Sequence, residues 1–124
     1  MELQVKTIFL AEGERHVLDA LRLRLEERGD IEILGEAQSA EGLLTKVCKN
    51  APDLILMAWE LPGIHHLRLI EAVRSCCPAA QLVELSVKPE HEKPAKEYGL
   101  NGFISKQLSA ESFMELLNNF IARI

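Results

Sequence analysis

The stretch Pro52-Asp53-Leu54-Ile55-Leu56-Met57-Ala58-Trp59-Glu60-Leu61-Pro62-Gly63 decides the fold. Leu54 to Met57 is a short continuous apolar run, which suits a strand of a parallel sheet buried on both faces. Leu61-Pro62-Gly63 carries the turn residues of the loop leaving its C-terminal end. In an open α/β sheet, ligands bind in the crevice outside those strand ends. Ala58 therefore stands where such a fold places its chemistry, and a methyl group offers none.

Outward from this strand, strand and helix patterns alternate. Strands are expected at Lys6 to Leu10, Ile31 to Ala37, Leu54 to Met57, Leu82 to Leu85 and Gly102 to Ile104. A first helix, Glu14 to Arg28, carries Val17, Leu18, Leu21 and Leu25 at helical spacing and ends at Gly29. A second begins near Ser39, has Glu41 in its first turn, buries Leu43, Leu44 and Val47, and runs out at Asn50 before Pro52. A third, His66 to Cys76, buries Leu67, Ile70 and Val73 and stops before Pro78. The last follows the cap Ser109 and carries Phe113, Met114, Leu116, Leu117, Phe120, Ile121 and Ile124. Repeated βα units imply right-handed crossovers and a doubly wound parallel sheet. Between Ser86 and Gly99 the pattern weakens. Pro94 removes a backbone donor and costs about 3 kcal/mol inside a helix, so the expected helix starts or kinks there and is short.

The chain has 124 residues, 48% of them hydrophobic, with a net charge of −5. That suits one domain, 1–124, with a sizeable core. The acidic balance disfavours direct binding of nucleic acid, which needs clustered Lys and Arg. No apolar run approaches the ~20 residues of a membrane span. Met1-Glu2-Leu3-Gln4 opens no signal peptide, because no basic region precedes an apolar stretch. Three cysteines, an odd number without a secretory leader, point to the cytoplasm. There is no P-loop, GxGxxG, HExxH or GxSxG pattern, and no enzymatic activity is expected.

The run around Ala58 also resembles the phosphoacceptor segment of CheY-like response-regulator receiver domains, usually P-D-(apolar)4-D-x-x-M/L-P-G. Thr7-Ile8-Phe9-Leu10-Ala11-Glu12-Gly13 stands where that family has its first strand and acidic pair. Gly35-Glu36-Ala37 matches the end of the second strand, as in receivers attached to helix-turn-helix regulators. Leu82-Val83-Glu84-Leu85-Ser86 matches the fourth strand with its Ser/Thr. Gly99-Leu100-Asn101-Gly102-Phe103-Ile104-Ser105-Lys106 matches the fifth with its lysine. The resemblance implies five strands in the order 2-1-3-4-5 with five helices, the flavodoxin-like receiver fold.

It also implies a site, one that is degenerate here. Ala58 takes the place of the aspartate that accepts a phosphoryl group. The acidic pair falls on Glu12 and Gly13, leaving one carboxylate. Mg²⁺ wants several hard oxygen ligands; Glu12 alone is a poor cage even if Glu60 leans in, so no cofactor or metal is expected. Ser86, Phe103 and Lys106 fall on the phosphate-sensing positions. The plainer expectation is that Ser86 ends a strand, Phe103 is a core aromatic, and Lys106 pairs with Glu12, since a partly buried ammonium needs a carboxylate. His65 and His66 read as loop histidines rather than metal ligands. Cys76-Cys77 read as helix-end thiols rather than a vicinal disulfide. Trp59 reads either as packing or as a cover of the site or partner contact.

The expected function is that of a pseudo-receiver, a phosphorylation-independent interaction module of two-component signalling. It would contact a protein partner or a second copy through the last helix and the Pro89 to Tyr98 segment, with no nucleic acid or membrane involved. A sensor using the vacated space near Ala58, Ser86 and Lys106 for a small molecule is one alternative. A phosphoacceptor using Glu12 or Glu60 is disfavoured, because both are displaced from the attacking position. The chain reads equally as a stand-alone protein or as the receiver part of a longer DNA-binding regulator.

Overall fold

A computed structural model describes residues 5–124; the stretch read for a signal peptide lies outside them. The elements are β1 (Lys6–Ala11), α1 (Arg15–Glu26), β2 (Ile31–Ala37), α2 (Ala40–Val47), β3 (Leu54–Ala58), α3 (His66–Cys76), β4 (Gln81–Ser86), α4 (Glu92–Glu97), β5 (Gly102–Ser105) and α5 (Ala110–Ile121). The five strands form one parallel sheet in the order β2-β1-β3-β4-β5. This is the doubly wound, flavodoxin-like receiver fold.

Alternation along the central strands builds two cores. Phe9, Ile55, Met57 and Leu82 face α2 and α3, meeting Leu43, Val47, Leu69 and Val73. Ile8, Leu10, Leu54, Leu56, Val83, Leu85 and Ile104 face α1 and α5, meeting Leu18, Leu21, Leu25, Leu117 and Ile121. Every residue of β3 is buried, as its unbroken apolar run requires. The register of β1 against β2 slips between Ile8 and Phe9, opposite Gly35. A Cβ on Gly35 would stand 2.9 Å from the Phe9 ring, so the position paired with Phe9 just past the bulge needs a residue without one.

Several helix details depart from the sequence expectation. The third helix buries Leu69 rather than Leu67, and the second buries Ala40 while Leu44 is only partly covered. The fourth helix starts two residues before Pro94, after a 3₁₀ turn over Pro89–His91. Pro94 thereby falls in the first helical turn, where backbone N–H groups lack intrahelical acceptors anyway, so its missing donor costs little. Ala95 is the buried residue of this short helix.

The cysteines are also not as expected. Cys48, just past α2, and Cys76, the last residue of α3, are joined by a disulfide, leaving Cys77 as a buried free thiol. Among the described residues no helix is long and apolar enough to cross a membrane.

Candidate functional site

The C-terminal ends of β1, β3, β4 and β5 bring Glu12, Ala58, Ser86 and Lys106 to one edge of the sheet. Glu12 follows β1 and is 3% exposed. Its carboxylate is ion-paired with Lys106 Nζ, and its Oε2 also accepts from the Glu14 N–H at 3.2 Å. Gly13 stands beside Pro62, with room for no more than ordinary contact. Ala58 closes β3 at 1% exposure, so the methyl group is sealed in protein.

Ser86 is fully buried at the end of β4, and its hydroxyl is fully engaged. The Lys88 N–H donates to it at 3.1 Å. The hydroxyl donates to Glu60 Oε1 at 3.4 Å and lies 2.7 Å from His91 Nδ1. One donor and two acceptor lone pairs account for all three contacts when His91 carries its proton on Nδ1. Serine, histidine and glutamate here are no nucleophilic triad. Glu60 approaches the same Nδ1 atom, at 4.0 Å, whereas a triad needs the serine and the carboxylate on opposite nitrogens of the ring.

These residues do not fit a magnesium ion. Glu12 is held by a lysine, and positions 13 and 58 supply no carboxylate. Glu60 is half exposed and turned to Ser86 and His91. Among the described residues no three His, Cys, Asp or Glu side chains gather as a metal would need.

Beside this edge lies a second cluster that the sequence reading missed. Trp59 packs against His66 and His91, with both ring centroids at 4.2 Å, and against Tyr98 at 6.1 Å. His66 is thus no loop residue. It opens α3, and its Nε2 meets the carboxyl of Glu84, in the middle of β4. Glu84 is fully buried. Burial pushes its carboxyl above the ordinary range; His66 pulls it down and Glu60 adds a smaller upward push. His65 caps the helix without a side-chain hydrogen bond and is exposed. The signal for the cluster was present, because a charged residue inside the apolar run Leu82 to Leu85 requires a buried partner. Nothing in the spacing says that the partner is His66 or that His91 reaches Ser86.

Phe103 is partly buried and lines a groove of about 240 Å³ with Ala95, Leu100, Gly102 and Phe120. A larger apolar groove of about 380 Å³ runs between α1 and α5, past Val17, Leu21, Phe113 and Met114 to Lys106.

Similarity to known proteins follows the same outline. A solved LuxR-family two-component response regulator from Aurantimonas sp. superimposes with a TM-score of 0.85 at 20% identity, over 96% of this chain and 86% of that one. RcsB from Salmonella enterica serovar Typhimurium, solved bound to the rprA promoter, gives 0.84 at 17% identity over 94% of this chain and 60% of that one. In sequence, the DNA-binding transcriptional activator EvgA of Escherichia coli K12 is 29% identical over 99 residues, 78% of this chain and 45% of EvgA. The chain spans about half the length of the curated relatives it matches. These relatives correct the expectation that nucleic acid plays no part. EvgA is DNA-binding and RcsB has been seen on promoter DNA. The acidic balance describes only the 124 residues in hand, and carries no information about the length of the relatives that they do not span. Residues 8–118 match the response regulator receiver domain, and the chain belongs to that family.

Proposed function

We propose that this receiver works without phosphorylation at position 58. It is a non-enzymatic signalling module of two-component type, acting in the cytoplasm and presenting a fixed surface to its partner. One observation carries this reading: each group left at the site is already occupied. Lys106 is held by Glu12, Ser86 by His91, Glu60 and the Lys88 N–H, and the acceptor position is a sealed methyl group. A phosphoryl group bound there needs a nucleophile, a metal to neutralise its oxygens, and a free hydroxyl and ammonium to report it.

The likeness to EvgA and RcsB supports a second element of the proposal. This receiver is the regulatory part of a DNA-binding transcriptional regulator, whose output is set by what contacts the receiver rather than by a phosphoryl group.

Amide chemical shifts of the protein, followed as acetyl phosphate, beryllofluoride and Mg²⁺ are added, test the first element. No saturable change is expected at Ser86 or Lys106. The Ala58→Asp variant is expected to remain unlabelled by acetyl phosphate, because Gly13 and the Lys106-bound Glu12 still leave the metal short of ligands. Saturable shifts in the native protein, or strong Mg²⁺-dependent labelling of the variant, would remove the reading.

A further inference from the structure

The bond between Cys48 and Cys76 lies away from the strand ends just described. It joins the C-terminal ends of α2 and α3 across a Cα separation of 5.2 Å and a sequence separation of 28 residues, a distance natural to a disulfide. Cys48 is exposed and Cys76 partly so, so small thiols and disulfides have access from solvent. In reducing compartments, bonds of this kind are seldom permanent staples and are more often sensing or catalytic.

We propose that Cys48 and Cys76 are a reversible redox pair, a modification site for low-molecular-weight disulfides that locks α2 to α3. The inference is independent of what happens at Ala58. The pair is built for exchange rather than for rapid attack on peroxide, because both sulfurs stand at helix C-terminal ends, where the helix dipole works against a thiolate. Oxidation proceeds in two steps. The Cys48 thiolate attacks one sulfur of glutathione disulfide, forming a mixed disulfide and releasing one reduced glutathione. The Cys76 thiolate then attacks the Cys48 sulfur, forming the protein bond and releasing the second glutathione. The two cysteine sulfurs lose two electrons in total, the two glutathione sulfurs gain them, and the cysteine protons pass to the departing thiolates.

Cys77 is the thiol that the structure keeps out of this chemistry. Its sulfur lies 3.8 Å from that of Cys76, but it is 1% exposed and donates to the Val47 carbonyl at 3.3 Å. Burial pushes its pKa up, so it persists as a thiol. The consequence for the molecule follows from connectivity. The closed ring contains β3, Trp59, Glu60 and all of α3, including His66. Oxidation therefore restrains the segment that holds the Trp59 cluster.

The purified protein is equilibrated in glutathione buffers from oxidised to strongly reducing, acid-quenched, alkylated after unfolding and weighed. A transition from one label (Cys77) to three is expected within the range that cytosolic glutathione spans, with peptide mapping placing the oxidised link at Cys48–Cys76. Three labels at every ratio, one label at every ratio, or a link between Cys76 and Cys77 would each overturn the proposal. Hydrogen exchange in the last turns of α2 and α3 is expected to slow at least severalfold on oxidation, and to be indifferent to the buffer in Cys48→Ser. Equal exchange in the oxidised and reduced native protein would refute the lock.

Discussion

Glu84 shows how one residue can set the chemistry of a core. A carboxyl in the middle of a buried strand has lost its water, and His66 is the partner that the structure supplies. The titratable groups that bear on it are His66 from α3 and Glu60 from the loop after β3. Burial wins over the histidine, so the folded protein holds the Glu84 proton to higher pH than the unfolded chain does. Between the ordinary carboxylate value of 4.5 and that raised value, the folded state binds more protons. Stability must then fall as pH rises through this window, and the loss is complete above it. Glu84→Gln keeps a polar partner for His66 without the charge. The variant is expected to lack this fall, so that the stability difference between it and the native protein shifts in its favour as pH rises through the window. Urea midpoints of both proteins from pH 4.5 upward measure it. Parallel curves would show that Glu84 is ionised throughout, as one half of a well-compensated pair.

At the scale of elements, legibility followed the amount of apolar patterning. The central strands and α1, α2, α3 and α5 were visible because each carries a stripe or run that has to be buried. Two of their starts were visible as well, because Ser39 and Ser109 accept from the Gly42 and Ser112 backbone N–H groups, the cap chemistry that a serine there signals. Gly102 could not be read as a packing residue, although a Cβ there would run into the Phe120 ring of α5. The fourth helix was the hardest element, with six residues, one of them buried, and Pro94 in its first turn. His91 just before it and Tyr98 just after it lie 4.2 and 6.1 Å from the Trp59 ring, so the helix is held at its flanks while Ala95 alone is buried between them. Amides of Glu92 to Glu97 are therefore expected to exchange by local opening, at a free energy well below that of global unfolding. Those of α1, which buries Leu18, Leu21 and Leu25, are expected to be far slower. Hydrogen-exchange mass spectrometry compares the two helices directly. Equal protection would mean that the Trp59 stack secures the whole fourth helix, and that its shortness has no dynamic consequence.

Across the whole molecule, the sequence reveals a sheet more readily than it reveals what crosses between helices. The order 2-1-3-4-5 came from resemblance, while the burial of β3 came from the residues themselves. The link between Cys48 and Cys76 came from neither, because three cysteines allow several pairings and only the packing of α2 on α3 selects one. That link has a global consequence which can be separated from its local one. A cross-link closing 28 residues removes conformations chiefly from the unfolded chain, and the chain-entropy relation gives about 3 to 4 kcal/mol of stabilisation for a loop of that size. It should also make the unfolded state more compact, so that less surface is exposed on unfolding and the denaturant slope is smaller. Reducing the protein is therefore expected to lower the urea midpoint and to steepen the transition together. Cys48→Ser in oxidising buffer should behave like the reduced native protein. A variant midpoint equal to that of the oxidised native protein would place the stabilisation in the folded packing around Cys76 and Cys77, and leave the cross-link itself with no thermodynamic role.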